Sequence, residues 1–304
     1  LVGGCPMKTV NLNQIATETR NPNTLDLDKL SPRQIAKKIN DEDFNAARAV
    51  KAANKEIAAI MLLAAGAYAH KHKIIFIGAG TSGRLGILEA VECVPTFGTK
   101  PSQIIGLIAG GKKAVFRSQE GAEDDEKQGA KEILKAAKKD DLVIGLTASG
   151  RTPYVMGALQ AARKLGARTA LISCNPNAVC TDAGVHAALP TGPEALCGST
   201  RMKAGTATKM ALNAITTGAM TLCGKTYGNL MIDVQPTNEK LVARAVRLIC
   251  TVAQTDEKTA RRLLSASGKN VKTAIVMHRK KVRAPKAKKM LQAKNGFLTK
   301  VLDA

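Results

Sequence analysis

Short, wholly apolar segments alternate with helical patterns through the middle of the chain. Helical periodicity separates most of them, as over 124–138 and 153–165. Strands that are apolar on both faces and separated by such helices are typical of a parallel sheet covered on both sides. The sequence therefore predicts an α/β fold with helices on each face of the sheet. The predicted strands are KIIFIG (73–78), IIGLIAG (104–110), LVIGLT (142–147), TALISC (169–174) and VHAALP (185–190).

The remaining segments are predicted to be helical. Ser31-Pro32 is a helix start, with an N-cap followed by proline at the first helical position. The alanine-rich stretch 44–70 predicts one long helix, and 199–223 predicts another, rich in Ala, Gly and Thr. Beyond about residue 240 the whole chain has helical character. We divide the chain into an N-terminal arm with a first helix (1–43), a sheet-containing domain (44–250) and a small basic helical domain (251–304).

Composition excludes several classes of protein. Aromatic residues make up 3% of the 304 residues and tryptophan is absent, which argues against base-stacking platforms for nucleic acid. Seven cysteines without a CxxC pair indicate reduced thiols. Without a signal peptide or an apolar run of membrane-spanning length, we expect a cytoplasmic protein that does not enter a membrane.

Positive charge is concentrated near the C-terminus. The formal net charge is +22, and residues 261–300 contain 13 Lys and Arg but no acid. Such a segment is expected to bind polyanions weakly and without specificity. An ordinary solvated surface with no partner is the alternative.

The turn GAGTSG (78–83) follows the first strand and opens a helix. It matches GxGxxG, but a dinucleotide site also needs an acid about 20 residues further on. Here the second strand ends in AGGKKA, with no acid, and the GK[ST] of a nucleotide P-loop is absent. We therefore expect no nicotinamide or flavin cofactor.

A related turn follows the third strand. LTASGRTP (146–153) repeats the Ser-Gly-Arg of the first turn, so Ser82 and Ser149 are both predicted at helix N-termini. Free backbone N–H groups, the helix dipole and a hydroxyl favour an anion there. The pair therefore predicts a site for a phosphate-bearing ligand, the alternative being two ordinary serine N-caps. CGSTRMKAGTA (197–207) adds hydroxyls and Lys203 at another helix start, unless it is a plain packing helix.

Several longer motifs resemble one family. GAGTSGRLGILEAVECVPTFGT, GLIAGG, EGAEDD, ASGRTPYV, GSTRMKAGTA and GNLMIDVQPTNEKL are similar to the N-acetylmuramic acid 6-phosphate etherases of the sugar isomerase (SIS) superfamily. The resemblance spans nearly the whole chain, from 17–31 to 296–302. Val94 stands where the family commonly has the first proline of ECPPT, and the C-terminal segment is unusually basic.

The resemblance implies a three-layer α/β/α sandwich with a five-stranded parallel sheet and a small C-terminal helical bundle similar to ubiquitin-associated domains. It also implies a homodimer with sites near the subunit interface. The substrate would be a 6-phosphosugar carrying a D-lactyl ether on C3, cleaved without metal or organic cofactor. The residues expected to bind its phosphate end are Gly80, Thr81, Ser82, Gly83, Thr147, Ser149, Gly150, Thr152, Ser199 and Lys203.

Two acids match the family's functional carboxylates. Glu92 is expected to protonate the departing lactate, and Glu123 is expected to remove the C2 proton. Glu89 shares a helix face with Glu92, but the family match does not select it. The alternatives are an exposed helical acid at Glu92 and a dipole-stabilising first-turn acid at Glu123.

Two other functions fit the same fold. One is a sugar-phosphate-sensing regulator without turnover, similar to the glucokinase regulatory protein, which carries two such domains in tandem. The other is a nucleic-acid-binding SIS regulator, which we disfavour because residues 1–43 leave no room for the helix-turn-helix domain that precedes such regulators. Release of lactate from the muramic sugar phosphate distinguishes the enzyme from both.

Overall fold

Five parallel strands form the central sheet of the computed structural model, which describes residues 16–236 and 238–304. The strand order is β2-β1-β3-β4-β5, and all neighbouring pairs are parallel. The five predicted strands and their parallel arrangement are confirmed. Residues 1–15 of the predicted arm lie outside the described residues. The strands are β1 (Ile74–Gly78), β2 (Ile104–Ile108), β3 (Leu142–Thr147), β4 (Arg168–Ser173) and β5 (Val185–Ala188).

Seven helices of the described chain surround this sheet: α1 (Pro32–Ala52), α2 (Asn54–Ala69), α3 (Gly80–Phe97), α4 (Gly111–Phe116), α5 (Glu126–Ala136), α6 (Pro153–Lys164) and α7 (Lys203–Leu222). A two-stranded hairpin and a helical bundle follow: β6 (Thr226–Tyr227), β7 (Leu230–Met231), α8 (Glu239–Ala253), α9 (Glu257–Ala266), α10 (Val271–Arg279), α11 (Ala284–Ala293) and α12 (Leu298–Leu302). Within the described ranges, no helix is both long enough and apolar enough to cross a bilayer.

The central strands β1 and β3 are almost wholly apolar because every residue of each is buried. Ile74 and Phe76 belong to a core that also contains side chains of α1, α2, α3 and α7. Ile75 and Ile77, which alternate with them, belong to a second core with side chains of α5 and α6. Since successive side chains of a strand point to opposite faces, the sheet lies between two helical layers. The predicted three-layer sandwich is confirmed.

Helix boundaries differ from the predictions in two places. The segment 44–70 was predicted as one helix, but it is divided between α1 and α2, which meet at the non-helical Ala53. No glycine or proline marks this break, and both helices contact α7, so packing rather than local propensity places it. The helix predicted over 199–223 begins at Lys203.

The C-terminal bundle has its own hydrophobic core. Val246 and Ile249 of α8 pack in one cluster with buried residues of α9 to α12 and with Ile232, next to the β6–β7 hairpin. The predicted boundary between residues 250 and 251 therefore lies inside α8, and the boundary between 43 and 44 lies inside α1.

We predict that Gly129→Ala destabilises the chain by about 1–3 kcal/mol or more, as overpacking does. A Cβ at this position of α5 would overlap the backbone carbonyl of Tyr154 on α6, and neither backbone can easily withdraw. Urea denaturation measures the effect. Gly66→Ala in α2 is the matched control, because its nearest neighbour would be 3.9 Å away. It should leave the free energy of unfolding unchanged or raise it by up to about 1 kcal/mol, and equal effects of the two substitutions would contradict the packing argument.

Candidate substrate site

The turn from β1 into α3 is very tight. A Cβ on Gly83 would lie 2.8 Å from the carbonyl oxygen of Gly78, so only glycine lets the strand end and the helix start approach so closely. The N-cap is Ala79, whose methyl group cannot accept a hydrogen bond. The first backbone N–H groups of α3 therefore remain available for an anion. Thr81 and Ser82 lie in this first turn, with Ser82 as the third helical residue.

The turn from β3 into α6 is held by its own hydroxyl groups. Thr147 Oγ1 lies 2.7 Å from Thr152 Oγ1 and accepts the N–H of Gly150 at 3.2 Å. The Asn175 amide donates to the Ser149 carbonyl at 3.0 Å. Ser149 precedes α6 by four residues, and Thr152 is the N-cap. The prediction that Ser149 begins a helix is therefore wrong, because the chain forms a five-residue loop first.

The two turns lie side by side. β1 pairs with β3, and Gly78 is opposite Leu146 at their carboxyl ends. β2 lies next to β1 on one side and β3 lies next to it on the other, so the strand order reverses at β1. Such a switch point in the strand order opens a crevice at the carboxyl edge, where ligands of open α/β sheets bind.

Glu123 lies beside the first turn. A cleft of about 260 Å³ is lined by Gly80 and Arg84, by Ala109 after β2, and by residues 118–123. Glu123 belongs to a short 3-10 helix and is exposed. Arg84, which had no predicted role, donates its Nε hydrogen to the Val115 carbonyl at 3.0 Å. The fold thus brings one predicted acid and part of the predicted phosphate loop into one cleft.

Glu92 lies elsewhere on the same chain. It is exposed on α3, more than three turns and about 18 Å along the helix axis from Gly80. Leu88 and Val91 flank it and are also exposed, at 47% and 59% of their surface. One chain therefore does not bring the two predicted acids together.

Two other neighbours of Glu92 on α3, Glu89 and Cys93, are buried. Glu89 accepts hydrogen bonds from Asn213 at 2.6 Å and from Thr216, and desolvation raises the pKa of its carboxyl group. Burial also raises the pKa of the Cys93 thiol to about 12, with a further contribution from Glu89. Cys93 is thus held as a neutral thiol, which does not suit a nucleophile.

Lys203 does not face the two turns. Its ammonium group is buried in an ion pair with Glu42 of α1. The backbone N–H groups of Lys203 and Ala204 donate to the two carboxylate oxygens of Glu194, each at 2.9 Å. The start of α7 is therefore occupied by a carboxylate of the protein, and in this geometry Lys203 does not bind phosphate. Ser199 is half-buried in the loop before α7.

Glu42 joins three segments of the chain. Besides Lys203, it accepts hydrogen bonds from the side-chain amides of Asn21 and Asn23, each at 2.7 Å. Desolvation raises the pKa of Glu42, but the bonds from Lys203, Asn23 and Asn21 outweigh it and lower the pKa to about 2. Sequence reasoning missed Glu42, although it recurs with the buried Ala46 and Ala49 on one face of α1.

This Glu42 network lies close to the first turn. A Cβ on Gly205, in the first turn of α7, would be 3.4 Å from the methyl group of Thr81. The network therefore positions a helix that packs against the candidate phosphate loop. In residues 16–236 and 238–304, no cluster of three His, Cys, Asp or Glu side chains could hold a metal ion.

Comparison with known proteins identifies close relatives. The chain is 46% identical over 297 residues to N-acetylmuramic acid 6-phosphate etherase 2 of Vibrio parahaemolyticus, covering 97% of this chain and 99% of that protein. It is 45% identical to N-acetylmuramic acid 6-phosphate etherase of Salmonella agona, covering 97% and 100%. Residues 56–163 match the model of the glucokinase regulatory protein N-terminal SIS domain, and residues 119–218 match the SIS domain.

A solved structure gives a more distant match. The phosphoheptose isomerase from Francisella tularensis is 13% identical, with a TM-score of 0.42, and the match covers 64% of this chain and 98% of that one.

We predict that Glu42 makes stability depend on pH in the acid range. Its folded pKa of about 2 lies below the ordinary 4.5, so its contribution is complete above about pH 4.5 and is lost as the pH falls towards 2. Glu42→Gln should remove this dependence. It should also cost about 3–5 kcal/mol at neutral pH, because Lys203 would remain buried without its partner. Urea denaturation between about pH 7 and 3 measures both effects.

Asp41→Asn is the control, since Asp41 adjoins Glu42 on α1 but forms only an exposed ion pair with Lys37. It should keep the native pH profile and cost less than about 1 kcal/mol. Parallel profiles of the native protein and Glu42→Gln below about pH 4.5 would contradict the assignment.

Proposed function

Because the chain belongs to the N-acetylmuramic acid 6-phosphate etherase family, we propose that the two turns and Glu123 form its substrate site. The chain is a carbon–oxygen lyase, which cleaves the D-lactyl ether of N-acetylmuramic acid 6-phosphate. The observation that supports the location most directly is the cleft that Glu123 shares with Gly80, at the switch point of the sheet.

The phosphate end of the substrate binds at the two turns. The first turn supplies backbone N–H groups of α3, its dipole and the hydroxyl of Ser82, and the second supplies the preorganised hydroxyls of its loop. Arg84 adds a positive charge at the edge of the cleft. This arrangement fixes one end of the sugar and leaves C2 and C3 to the acids.

The chemistry begins from the open-chain aldehyde, in which the C2 hydrogen is alpha to the carbonyl group. Glu123 takes this proton, and the C2 electrons form a double bond to C3 as the C3–oxygen bond breaks. Glu92 protonates the departing lactyl oxygen, which leaves as D-lactate. Water then adds its oxygen to C3 and a proton returns to C2, giving N-acetylglucosamine 6-phosphate. Two carboxyl groups suit this exchange of roles, because one must accept a proton while the other donates one.

Glu92 comes to the site from a second copy of the chain. The separation along α3 prevents Glu92 and Glu123 of one chain from acting on adjacent carbons of one sugar. The exposed side chains of Leu88 and Val91 around Glu92 form an apolar surface that an identical subunit would cover. We therefore propose a homodimer with two composite sites, each with Glu123 from one subunit and Glu92 from the other. The cytoplasm is the proposed compartment, since the described cysteines are free thiols.

Isotope labelling tests the reaction. In heavy water the sugar product should carry deuterium at C2, and in oxygen-18 water it should carry the label at C3 with none in the lactate. Mass spectrometry of both products measures this. Direct attack of water on the lactyl carbon would instead label the lactate and leave C2 unexchanged, and that result would overturn the elimination mechanism.

Mixed dimers test the composite site. In the Glu92→Gln homodimer and in the Glu123→Gln homodimer, the turnover rate should fall by a factor of about 10²–10⁴. A heterodimer of the two variants, purified through two different tags, would have one intact site and one doubly substituted site. It should therefore recover about half of the native rate per dimer, because an isologous dimer has two equivalent sites.

The matched control is a doubly tagged dimer of two Glu123→Gln subunits, which should stay inactive. A heterodimer as inactive as its parents would show that the acids act within one chain. A fully active monomer in light scattering would disprove the dimer itself.

A further inference from the structure

A second, larger cleft lies at the opposite edge of the sheet from the substrate site. Its volume is about 1060 Å³. One wall is formed by the end of α2 and the residues that lead into β1 and β2, and the other by residues around α10 and before α12. The cleft therefore lies between the sheet domain and the C-terminal bundle, and we call it the lysine cleft.

The lining of the lysine cleft carries only positive charge. Five lysines line it, and none of its lining residues is Asp or Glu. Lys71 and Lys100 are exposed, whereas Lys73 donates to the Ala136 carbonyl at 2.5 Å. A concave surface with one sign of charge concentrates its electric field and raises the local concentration of counter-ions.

The remaining two lysines are partly or fully buried and share one carboxylate. Lys225 and Lys272 contact the same oxygen of Asp233, at 3.0 and 2.8 Å, and their side chains are only 20% and 8% exposed. One carboxylate neutralises one of two charges, so an excess positive charge remains at a poorly solvated site. Desolvation lowers the pKa of Lys272 in spite of Asp233. An incompletely paired buried cation is costly unless another anion compensates it.

We propose that the lysine cleft binds a phosphorylated small molecule with at least two negative charges. The excess charge at Lys225 and Lys272 supplies one attraction, and Lys71 and Lys100 supply others at the rim. Ser102 and Asn295 also line the cleft and carry hydrogen-bond donors. The volume suits a metabolite rather than a single simple ion.

This site is independent of the proposed reaction. The lysine cleft lies where strands begin and the substrate site where they end, so the two ligands do not compete. Because the cleft has walls from both parts of the chain, a bound anion stabilises the docking of the C-terminal bundle on the sheet domain. The proposed anion site also gives a role to Lys272, which belongs to the basic segment 261–300 that the etherase reaction does not use.

Calorimetric titration with pyrophosphate at about 150 mM salt tests the proposal. We expect one saturable site per chain, with a Kd of about 10–100 μM, and a rise in melting temperature on binding. Replacing both rim lysines, Lys71→Gln with Lys100→Gln, should weaken binding about tenfold or more and leave turnover of the sugar substrate intact. These two side chains are exposed, so the variant should fold.

The matched control is Lys288→Gln with Lys289→Gln, which removes two charges from exposed positions of α11 that do not line the cleft. Its affinity should change less than about twofold. If both double variants bound pyrophosphate equally weakly, the attraction would be a non-specific effect of net charge, and the proposal would be overturned. Loss of binding in Ser82→Ala would place pyrophosphate at the substrate site and also overturn it, as would no saturation up to about 10 mM.

Discussion

The close approach of β1 and α3 at Gly78 and Gly83 is the constraint on which the candidate site depends. Since both positions lack a side chain, the helix begins directly at the strand end, next to the carboxyl end of β3. The same contact fixes the direction of α3. It therefore determines both where the candidate phosphate loop lies and where Glu92, far along the helix, meets the surface.

That geometry separates the tasks of the two carboxylates. Glu123 is carried by a short 3-10 helix whose residues share a cleft with Gly80. Glu92 is carried by α3 about 18 Å along the helix axis from Gly80, next to exposed apolar side chains. In the proposed mechanism, the two members of the catalytic pair come from two subunits, so assembly and activity would be linked.

Buried polar groups hold the helix that packs against the candidate phosphate loop. Glu42 draws together the arm at Asn21 and Asn23, the middle of α1 and the start of α7, and Glu194 occupies the backbone donors that begin α7. Lys203 links the two acids, with its ammonium group on Glu42 and its backbone N–H on Glu194, and a satisfied buried network of this kind rigidifies the fold. Asp233 is the opposite case, since two lysines share it and charge remains uncompensated. The two clusters thus differ in what they imply: the first holds the fold, and the second attracts a ligand.

Local sequence patterns were sufficient to predict most of the fold. Apolar runs predicted the five strands, and their spacing predicted helices on both faces. A strand that is buried on both faces has a nearly continuous run of apolar residues, which can be seen in the sequence. The paired glycine turns predicted where phosphate would bind, and the etherase motifs identified the family. The strand pattern and the family motifs belong to contiguous residues, and so the sequence alone determined the fold class and the family.

Long-range partners were decided only by the tertiary structure. Lys203 was predicted to bind phosphate, but its charge is taken by Glu42, 161 positions away. The break at Ala53 arises because two helices pack on α7, and Lys225 meets Lys272 at Asp233 because the bundle docks against the sheet domain. Some of these residues lie in recognisable motifs or on a periodic face, but neither the motifs nor the periodicity shows which residue pairs with which. A charge partner is chosen by which surfaces meet in three dimensions, and the order of residues along the chain does not record that choice.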